Sequence, residues 1–202
     1  MLIARRPQSG MSLIEALIGL VIMGILIAIG LPNMATWLNN SQIRTAGETM
    51  LAGLTLARVE AVRRNQIVRF QLVSNLNAGC VITQSGTSWV VSQDDPTGLC
   101  DQAPADDTAP RIIQTRSSSE GTPRAVVAAA TSSTVYFNGL GRVTSPGGAL
   151  NMTQLAISNP TGGTCVHVDG GDWRCLRIDI SVGGEARMCD PAVTDATDPR
   201  KC

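Results

Sequence analysis

The chain has 202 residues, enough for one domain of ordinary size and a terminal segment. Hydrophobic residues make up 44% of it and aromatic residues only 3%, so aliphatic side chains and alanine must form most of the core. Basic and acidic side chains balance at 16 each, which argues against a strongly basic protein that binds nucleic acid over its whole surface.

A short polar start precedes a long apolar run. Residues 1–10 are polar and basic, and residues 11–31 are long enough to span a bilayer of about 30 Å as a helix. Because the basic residues come first, the positive-inside rule places the N-terminus in the cytoplasm and the rest of the chain outside. A secretory signal peptide is cut after its apolar run, whereas the small residue Gly10 precedes this one. Two interpretations remain open: an uncleaved anchor, or a leader that is cut while the apolar helix is kept.

The helix is predicted to continue through residues 32–64. Small and apolar side chains recur there at steps of three and four, which predicts one buried stripe: Ile43, Ala46, Met50, Leu54, Ala57 and Ala61. Two pairs of opposite charge stand four residues apart, Arg44–Glu48 and Glu60–Arg64. Pro32 is the one strong helix breaker, since proline removes a backbone donor and clashes with the preceding turn. We therefore predict a kink at Pro32.

After Arg64 the apolar pattern changes from a helical period to alternation. Alternation is typical of half-buried strands, and it occurs at Val68–Leu72, Val135–Phe137 and Leu176–Ile180. The stretch Asp94–Pro110, with five aspartates and three prolines, is predicted to be a solvated loop. The sequence therefore predicts an α+β fold. A long N-terminal helix, with a membrane half and an amphipathic half, packs on an antiparallel β-sheet headpiece formed by residues 65–202.

Six cysteines lie in the predicted headpiece. None forms a C-x-x-C pair and the only histidine is His167, so a zinc site is not predicted. An even number of cysteines in a loop-rich segment on the outer side of a membrane favours disulfides. Six cysteines allow fifteen connectivities. Neighbours in the sequence suggest three pairs, Cys80–Cys100, Cys165–Cys175 and Cys189–Cys202.

No catalytic, cofactor or metal site is predicted. His167 stands between Val166 and Val168, in a segment whose alternation suggests a strand, and we expect an ordinary histidine there. The aspartates of Asp94–Asp107 lack the spacing of a calcium-binding loop. We find no Ser/His/Asp order, phosphate-binding loop or paired-carboxylate cleft, so an enzyme is not expected.

The segment Gly10-Met11-Ser12-Leu13-Ile14-Glu15, followed by the apolar run, resembles the N-terminus of type IV pilins and pseudopilins. Methionine stands at position 11 where phenylalanine is commonest in that family, and it is a tolerated variant. The resemblance implies that a membrane-embedded prepilin peptidase cuts after Gly10 and methylates the new amine on Met11. Residues 1–10 would then be a prepilin leader, and residues 11–31 a transmembrane and filament-core helix.

Glu15 is the one carboxylate within this apolar helix. A charge at membrane depth is costly, so such a residue is a functional hypothesis by default. In a filament Glu15 could pair with the terminal amine of a neighbouring subunit, which would offset the cost of burial and set the axial register. Alternatively, Glu15 lies in the headgroup region, since it is only five residues into the helix.

Three further segments resemble the FimT/FimU minor pilins and the H-type pseudopilins: Leu54–Asn65, Val135–Arg142 and the C-terminus. The resemblance implies a minor pilin that primes assembly of a type IV pilus near its tip, and so takes part in twitching motility and adhesion. The alternative is an H-type pseudopilin of a type II secretion system. Expected partners are other minor and major pilins, the prepilin peptidase and the bacterial inner membrane. The chain would cross that membrane once, with a periplasmic headpiece, and then join a cell-surface pilus.

Some FimT-like relatives bind DNA through a Gly-Arg-x-Arg element near the last strand. The matching stretch here is Gly184-Glu185-Ala186-Arg187, in which an acidic residue replaces the first arginine. Residues 174–202 hold five basic and five acidic side chains, so no electrostatic footprint emerges. Contact with DNA through Arg187, Arg200 and Lys201 is therefore the less favoured alternative.

Overall fold

The computed structural model describes residues 12–117, 120–122, 125–159, 163–168, 170–171 and 173–202. The predicted leader, residues 1–10, and Met11 lie outside this part of the chain. Internal contacts divide the chain into two units, Met1–Trp37 and Leu38–Cys202. Helix α1, Leu13–Arg64, contributes residues to both units.

In the first unit, α1 has an apolar and uncovered surface. All residues from Leu13 to Ala28 are exposed, and Leu13 is 83% accessible. The α-helical assignment runs without a break from Leu13 to Arg64, and the kink at Pro32 stays a prediction. In the part of the chain that the structure describes, no helix has the length and apolar character needed to cross a membrane.

The second unit holds eight described strands in two antiparallel sheets. Strands β1 (Val68–Val73), β2 (Ser88–Ser92), β3 (Ile112–Arg116) and β5 (Thr134–Phe137) form a first sheet in the order β3-β2-β1-β5. Strands β4 (Val126–Ala129), β6 (Gln154–Ser158), β7 (Leu176–Ile180) and β8 (Ala186–Cys189) form a second sheet in the order β4-β6-β7-β8. A short 3-10 helix spans Pro146–Gly148. The α+β class is confirmed, but the headpiece has two sheets where one was predicted. Alternation along a strand shows which side chains face the core, not which strands pair.

The buried stripe of α1 forms the centre of the main core. All six predicted stripe residues, from Ile43 to Ala61, have no accessible surface. They pack with apolar side chains of both sheets, among them Phe70, Trp89 and Ile157. Burial of apolar area contributes roughly 25 cal/mol per Å², so this stripe is the main attraction between helix and sheets.

A second, smaller core lies on the other face of the first sheet. Val73, Val90 and Ile112 are buried there together with Cys80 and Cys100. The connection between β2 and β3, predicted to be a solvated loop, is thus solvated on one side only. Its aspartates face water, while Pro96 and Pro110 are buried. Strand β2 is buried along its whole length, as expected for a strand in a sheet that is covered on both sides.

Candidate functional site

The start of α1 carries the sequence of a capping box. The backbone N–H of Glu15 donates to Oγ of Ser12 at 3.3 Å, and the N–H of Ala16 donates to the Ser12 carbonyl at 3.2 Å. Ser12 is therefore the N-cap residue, and Glu15 occupies the third helical position, as in the Ser-x-x-Glu signature. A carboxylate in the first turn of a helix is favoured by the unpaired N–H groups and the helix dipole.

The surroundings of Glu15 within this chain are apolar. Its carboxylate is exposed, and its neighbours along the helix are exposed aliphatic side chains such as Leu17 and Ile18. A lone negative charge on an apolar helix can be buried only if a cationic group is supplied to it. The pairing of Glu15 with a neighbouring subunit stays a prediction. The predicted partner is the amine on Met11, which lies outside the described residues.

Two asparagines hold the helix where the second unit begins. Nδ2 of Asn159 donates to Oδ1 of Asn39 at 3.0 Å, and both residues are buried. The backbone N–H of Arg174 donates to Oδ1 of Asn40 at 2.9 Å. These two hydrogen bonds were not predicted from the sequence, although Asn39 lies four residues before Ile43 and so falls on the buried stripe. A polar residue on such a stripe indicates a buried partner.

Two glycines let both sheets approach the helix closely. A Cβ atom built on Gly47 would lie 2.7 Å from Sδ of Met188 and 3.3 Å from Cδ1 of Ile157, in the second sheet. One built on Gly53 would lie 2.8 Å from a ring carbon of Phe70 and 3.0 Å from one of Trp89, in the first sheet. The two glycines are six residues apart, about 120° around the helix, so each sheet approaches a different side of the buried stripe.

The turn at residues 138–142, the end of the segment Val135–Arg142 named in the sequence analysis, has a structural role. Oδ1 of Asn138 accepts the N–H groups of Leu140 and Arg142 at 3.0 and 3.1 Å. Nε of Arg58 donates to the carbonyl of Gly141 at 3.0 Å, which joins the turn to α1. Gly141 has φ +72°, a conformation that favours glycine, and its carbonyl contacts Gly184. The turn thus links the helix, the first sheet and the β7–β8 connection.

Ion pairs lie on the helix outside the buried stripe; the pair at Arg44 is exposed and the pair at Arg64 is mostly buried. Both predicted pairs are confirmed: Arg44 Nε lies 2.8 Å from Glu48 Oε1, and Arg64 Nε lies 2.8 Å from Glu60 Oε2. Glu60 also accepts from Arg63 at 2.7 Å. The hydrogen bond from Arg63 is the main cause that lowers the pKa of Glu60, and burial opposes it. Arg64 further reaches Oδ1 of Asp106 at 2.6 Å, which ties the acidic β2–β3 loop to the helix end.

The C-terminal segment forms a closed loop against β8. Disulfides join Cys80 to Cys100, Cys165 to Cys175 and Cys189 to Cys202, the same pairs that the sequence suggests. The loop folds back on the end of β8, where the N–H of Asp190 donates to the Arg200 carbonyl at 2.7 Å.

The structure brings Arg187, Arg200 and Lys201 together, but each is engaged within the loop. The guanidinium of Arg187 donates to the carbonyl of Lys201 at 3.1 Å, and Nζ of Lys201 donates to the Thr194 carbonyl at 3.2 Å. Arg200 lies 2.6 Å from Asp198. Hydrogen bonds from Arg200 lower the pKa of Asp198 to about 2.

Two expectations about single residues can be compared with the described chain. Val166–Val168 form an exposed turn rather than a strand, because this alternation is only three residues long and lies inside the loop closed by Cys165 and Cys175. His167 is exposed on that turn. Among the described residues, one group has metal-ligand geometry, Asp179 with Cys189 and Cys202. Its two sulfurs form a disulfide and cannot act as thiolate ligands.

Comparisons with known proteins match most of the chain. The model of a family described as type II transport protein GspH matches residues 46–184, and that of the prokaryotic N-terminal methylation motif matches residues 5–31. Two crystal forms of the type IV minor pilin FimU from Pseudomonas aeruginosa (strain PAO1) are similar at 17% sequence identity. The alignments cover 72% of this chain and 90% and 87% of the FimU chains, with TM-scores of 0.43 and 0.44. No curated protein matches the chain.

Proposed function

Because the chain belongs to the GspH family and carries the N-terminal methylation motif of membrane-anchored pilins, we propose that it is a minor pilin that takes part in type IV pilus assembly. Pilins are structural proteins, and the proposal includes no enzymatic step. In this role the protein joins related subunits in a priming complex near the pilus tip. It thereby supports twitching motility and adhesion.

One observation carries the proposal: Glu15, the only carboxylate of residues 13–37, lies at the third helical position of α1, within the methylation motif and on its exposed apolar part. The cut after Gly10 leaves a new amine on Met11, about one helical turn from Glu15. Pairing of Glu15 with the amine of a neighbouring subunit would satisfy both charges inside the filament. It would also fix the axial position of this subunit relative to its neighbour.

The proposed topology follows from the same segment. Before assembly, the chain crosses the bacterial inner membrane once through residues 11–31, with its N-terminus in the cytoplasm and its headpiece in the periplasm. The prepilin peptidase is its first partner, and other minor and major pilins follow. After assembly, the helix lies in the filament core and the headpiece is at the cell surface.

The test separates the charge of Glu15 from its place in the capping box. Glu15→Ala removes both, whereas Glu15→Gln keeps a residue that suits the third helical position and removes only the charge. We expect both full-length variants to enter the membrane normally and to reduce piliation and twitching. Normal piliation with Glu15→Gln would show that the cap is sufficient, and the charge-pairing role would then be wrong.

The second candidate is an H-type pseudopilin of a type II secretion system, which the description of the matching family favours. This candidate implies the same single membrane crossing and the same role for Glu15, so variants at Glu15 do not distinguish the two candidates. A deletion strain scored for both surface pili and protein secretion does. Loss of secretion with normal pili would replace the first proposal by the second. A DNA-uptake role is not included, since Glu185 replaces the first arginine of the DNA-binding element and residues 174–202 hold equal numbers of basic and acidic side chains.

A further inference from the structure

The second unit contains an open groove that the assembly role of Glu15 does not use. It has a volume of about 400 Å³ and lies between the start of this unit's helix and the edge strand β8. Leu176 and Met188 supply apolar side chains to it, while Arg44, Arg174 and Arg200 supply cationic ones. A cavity of this size can receive one or two side chains of another molecule.

The three arginines have donors to spare. Their side chains are 75%, 56% and 63% exposed for Arg44, Arg174 and Arg200. Each already lies near one carboxylate, of Glu48, Asp190 and Asp198 respectively. A guanidinium carries five N–H donors, and exposed ion pairs contribute little, so a second carboxylate can be accepted without loss of the fold. The groove therefore suits a ligand that combines negative charge with an apolar side chain.

The β2–β3 loop of the same chain has this composition. Residues 95–110 contain four aspartates and no lysine or arginine. Asp101 and Asp107 are exposed, and the side chain of Asp106 is 80% accessible. Leu99, two residues before Asp101, is 41% exposed. The loop thus presents an aliphatic side chain beside several carboxylates.

The groove and the loop lie at opposite ends of the second unit's helix. Asn40 lines the groove, whereas the loop is tied to Arg64, 24 residues further along α1. That separation is about 36 Å in an α-helix. One molecule therefore cannot fill its own groove with its own loop. Two complementary surfaces at opposite ends of a subunit make a head-to-tail contact, which can be repeated from one copy to the next.

We propose that the groove bounded by Arg44, Arg174 and Arg200 binds the acidic β2–β3 loop of a second copy of this chain, with Leu99 on Leu176 and Met188 and the aspartates on the arginines. The contact is a property of the second unit and does not depend on Glu15. It goes beyond the proposed assembly role, because it assigns a headpiece contact between copies.

The test uses two opposite charge reversals in the full chain, held in an uncharged detergent. Arg44→Glu reverses the groove and Asp101→Arg reverses the loop, and both side chains are exposed, so the fold should be kept. Each variant alone places like charges in contact. An equimolar mixture restores attraction, because the reversed groove meets the reversed loop and the native groove of one variant meets the native loop of the other.

Self-association is measured by sedimentation equilibrium at low and high salt, with Arg142→Glu as a charge reversal outside the groove. Any association through the apolar helix is common to all samples and cancels in the comparison. We expect each reversal to weaken association at least about tenfold at low salt, and the mixture to recover to within about twofold of the unaltered chain.

Three outcomes would overturn the proposal. The first is no salt-dependent association of the unaltered chain. The second is reversals that behave like Arg142→Glu, and the third is a mixture that does not recover. A short DNA duplex that binds the unaltered chain through Arg44, without self-association, would assign the groove to nucleic acid instead. None of these results bears on Glu15 and pilus assembly, so the two proposals fail independently.

Discussion

Asn159 donates a hydrogen bond from Nδ2 to Oδ1 of Asn39 at 3.0 Å, between two buried side chains 120 residues apart in the chain. The bond joins the first turn of α1 in the second unit to the residue that follows β6. Burying an unpaired amide costs free energy. This hydrogen bond therefore fixes the position along α1 at which the helix begins to contact the rest of the headpiece.

Asn159→Ala should lower the free energy of unfolding by about 1–3 kcal/mol, because Asn39 then loses its buried donor. Replacing both asparagines by leucine should cost less than the single change, since neither half of the Asn39–Asn159 hydrogen bond is then left without the other. Denaturant unfolding of the full chain in detergent, followed by circular dichroism, measures both. A double variant less stable than Asn159→Ala would contradict this account.

Gly53→Ala should be more harmful than Gly47→Ala, although both are buried glycines of one helix in close contact with a sheet. A Cβ on Gly53 meets the rigid rings of Phe70 and Trp89, so we expect a loss of about 1–3 kcal/mol. A Cβ on Gly47 meets chiefly the flexible thioether of Met188, and alanine gains about 1 kcal/mol of helix propensity. Thermal unfolding of the two variants should give this order, and equal midpoints would refute it.

The C-terminal loop should open in acid. Hydrogen bonds from Arg200 hold the pKa of Asp198 at about 2 in the fold, below its ordinary 3.8. A lowered folded pKa means that the contribution of Asp198 to stability is present above about pH 4 and is lost as the pH falls through about 2. Amide hydrogen exchange at Lys201 should therefore rise relative to a core amide over that window. Asp198→Asn should raise exchange at neutral pH and abolish the dependence, whereas Asp101→Asn should change neither.

Replacing both Cys189 and Cys202 by serine should lower stability by about 3 kcal/mol in the chain-entropy model for a loop of this length. The released segment should also become a substrate for trypsin at Arg200 and Lys201. The matched control replaces Cys165 and Cys175, which should leave the C-terminus as resistant as before. If the C-terminus stays resistant without Cys189 and Cys202, its hydrogen bonds to Arg187 and Asp190 suffice to hold it.

The features that depend on a local period could be predicted from the sequence. Ile43 to Ala61 repeat with the period of a helix, and β1, β5 and β7 alternate, so the buried face of each was predictable. The three-residue alternation at Val166 was too short to decide between strand and turn. Features that depend on distant pairing could not be predicted in this way. They include the division into two sheets, the partner of Asn39 and the cover over the outer face of β2.

The candidate site shows the same contrast. The position of Glu15 in the first turn follows from Ser12-x-x-Glu15, a signal contained in four residues. Arg187, Arg200 and Lys201 were considered as a less favoured DNA contact. In the folded loop Arg187 and Lys201 donate to carbonyls, and Arg200 pairs with the Asp198 carboxylate. Formal charge can be counted from a sequence, whereas the number of donors still available can be counted only once the loop is folded.

The small core around Cys80 and Cys100 shares no side chain with the core around the helix. A substitution in residues 94–105, which lie outside β2 and do not include the partner of Arg64, can therefore alter the outward surface of the headpiece without disturbing the way α1 is docked. This separation permits divergence of the surface at little cost to the scaffold. The outward surface and the core that docks α1 can then change at different evolutionary rates in one short chain.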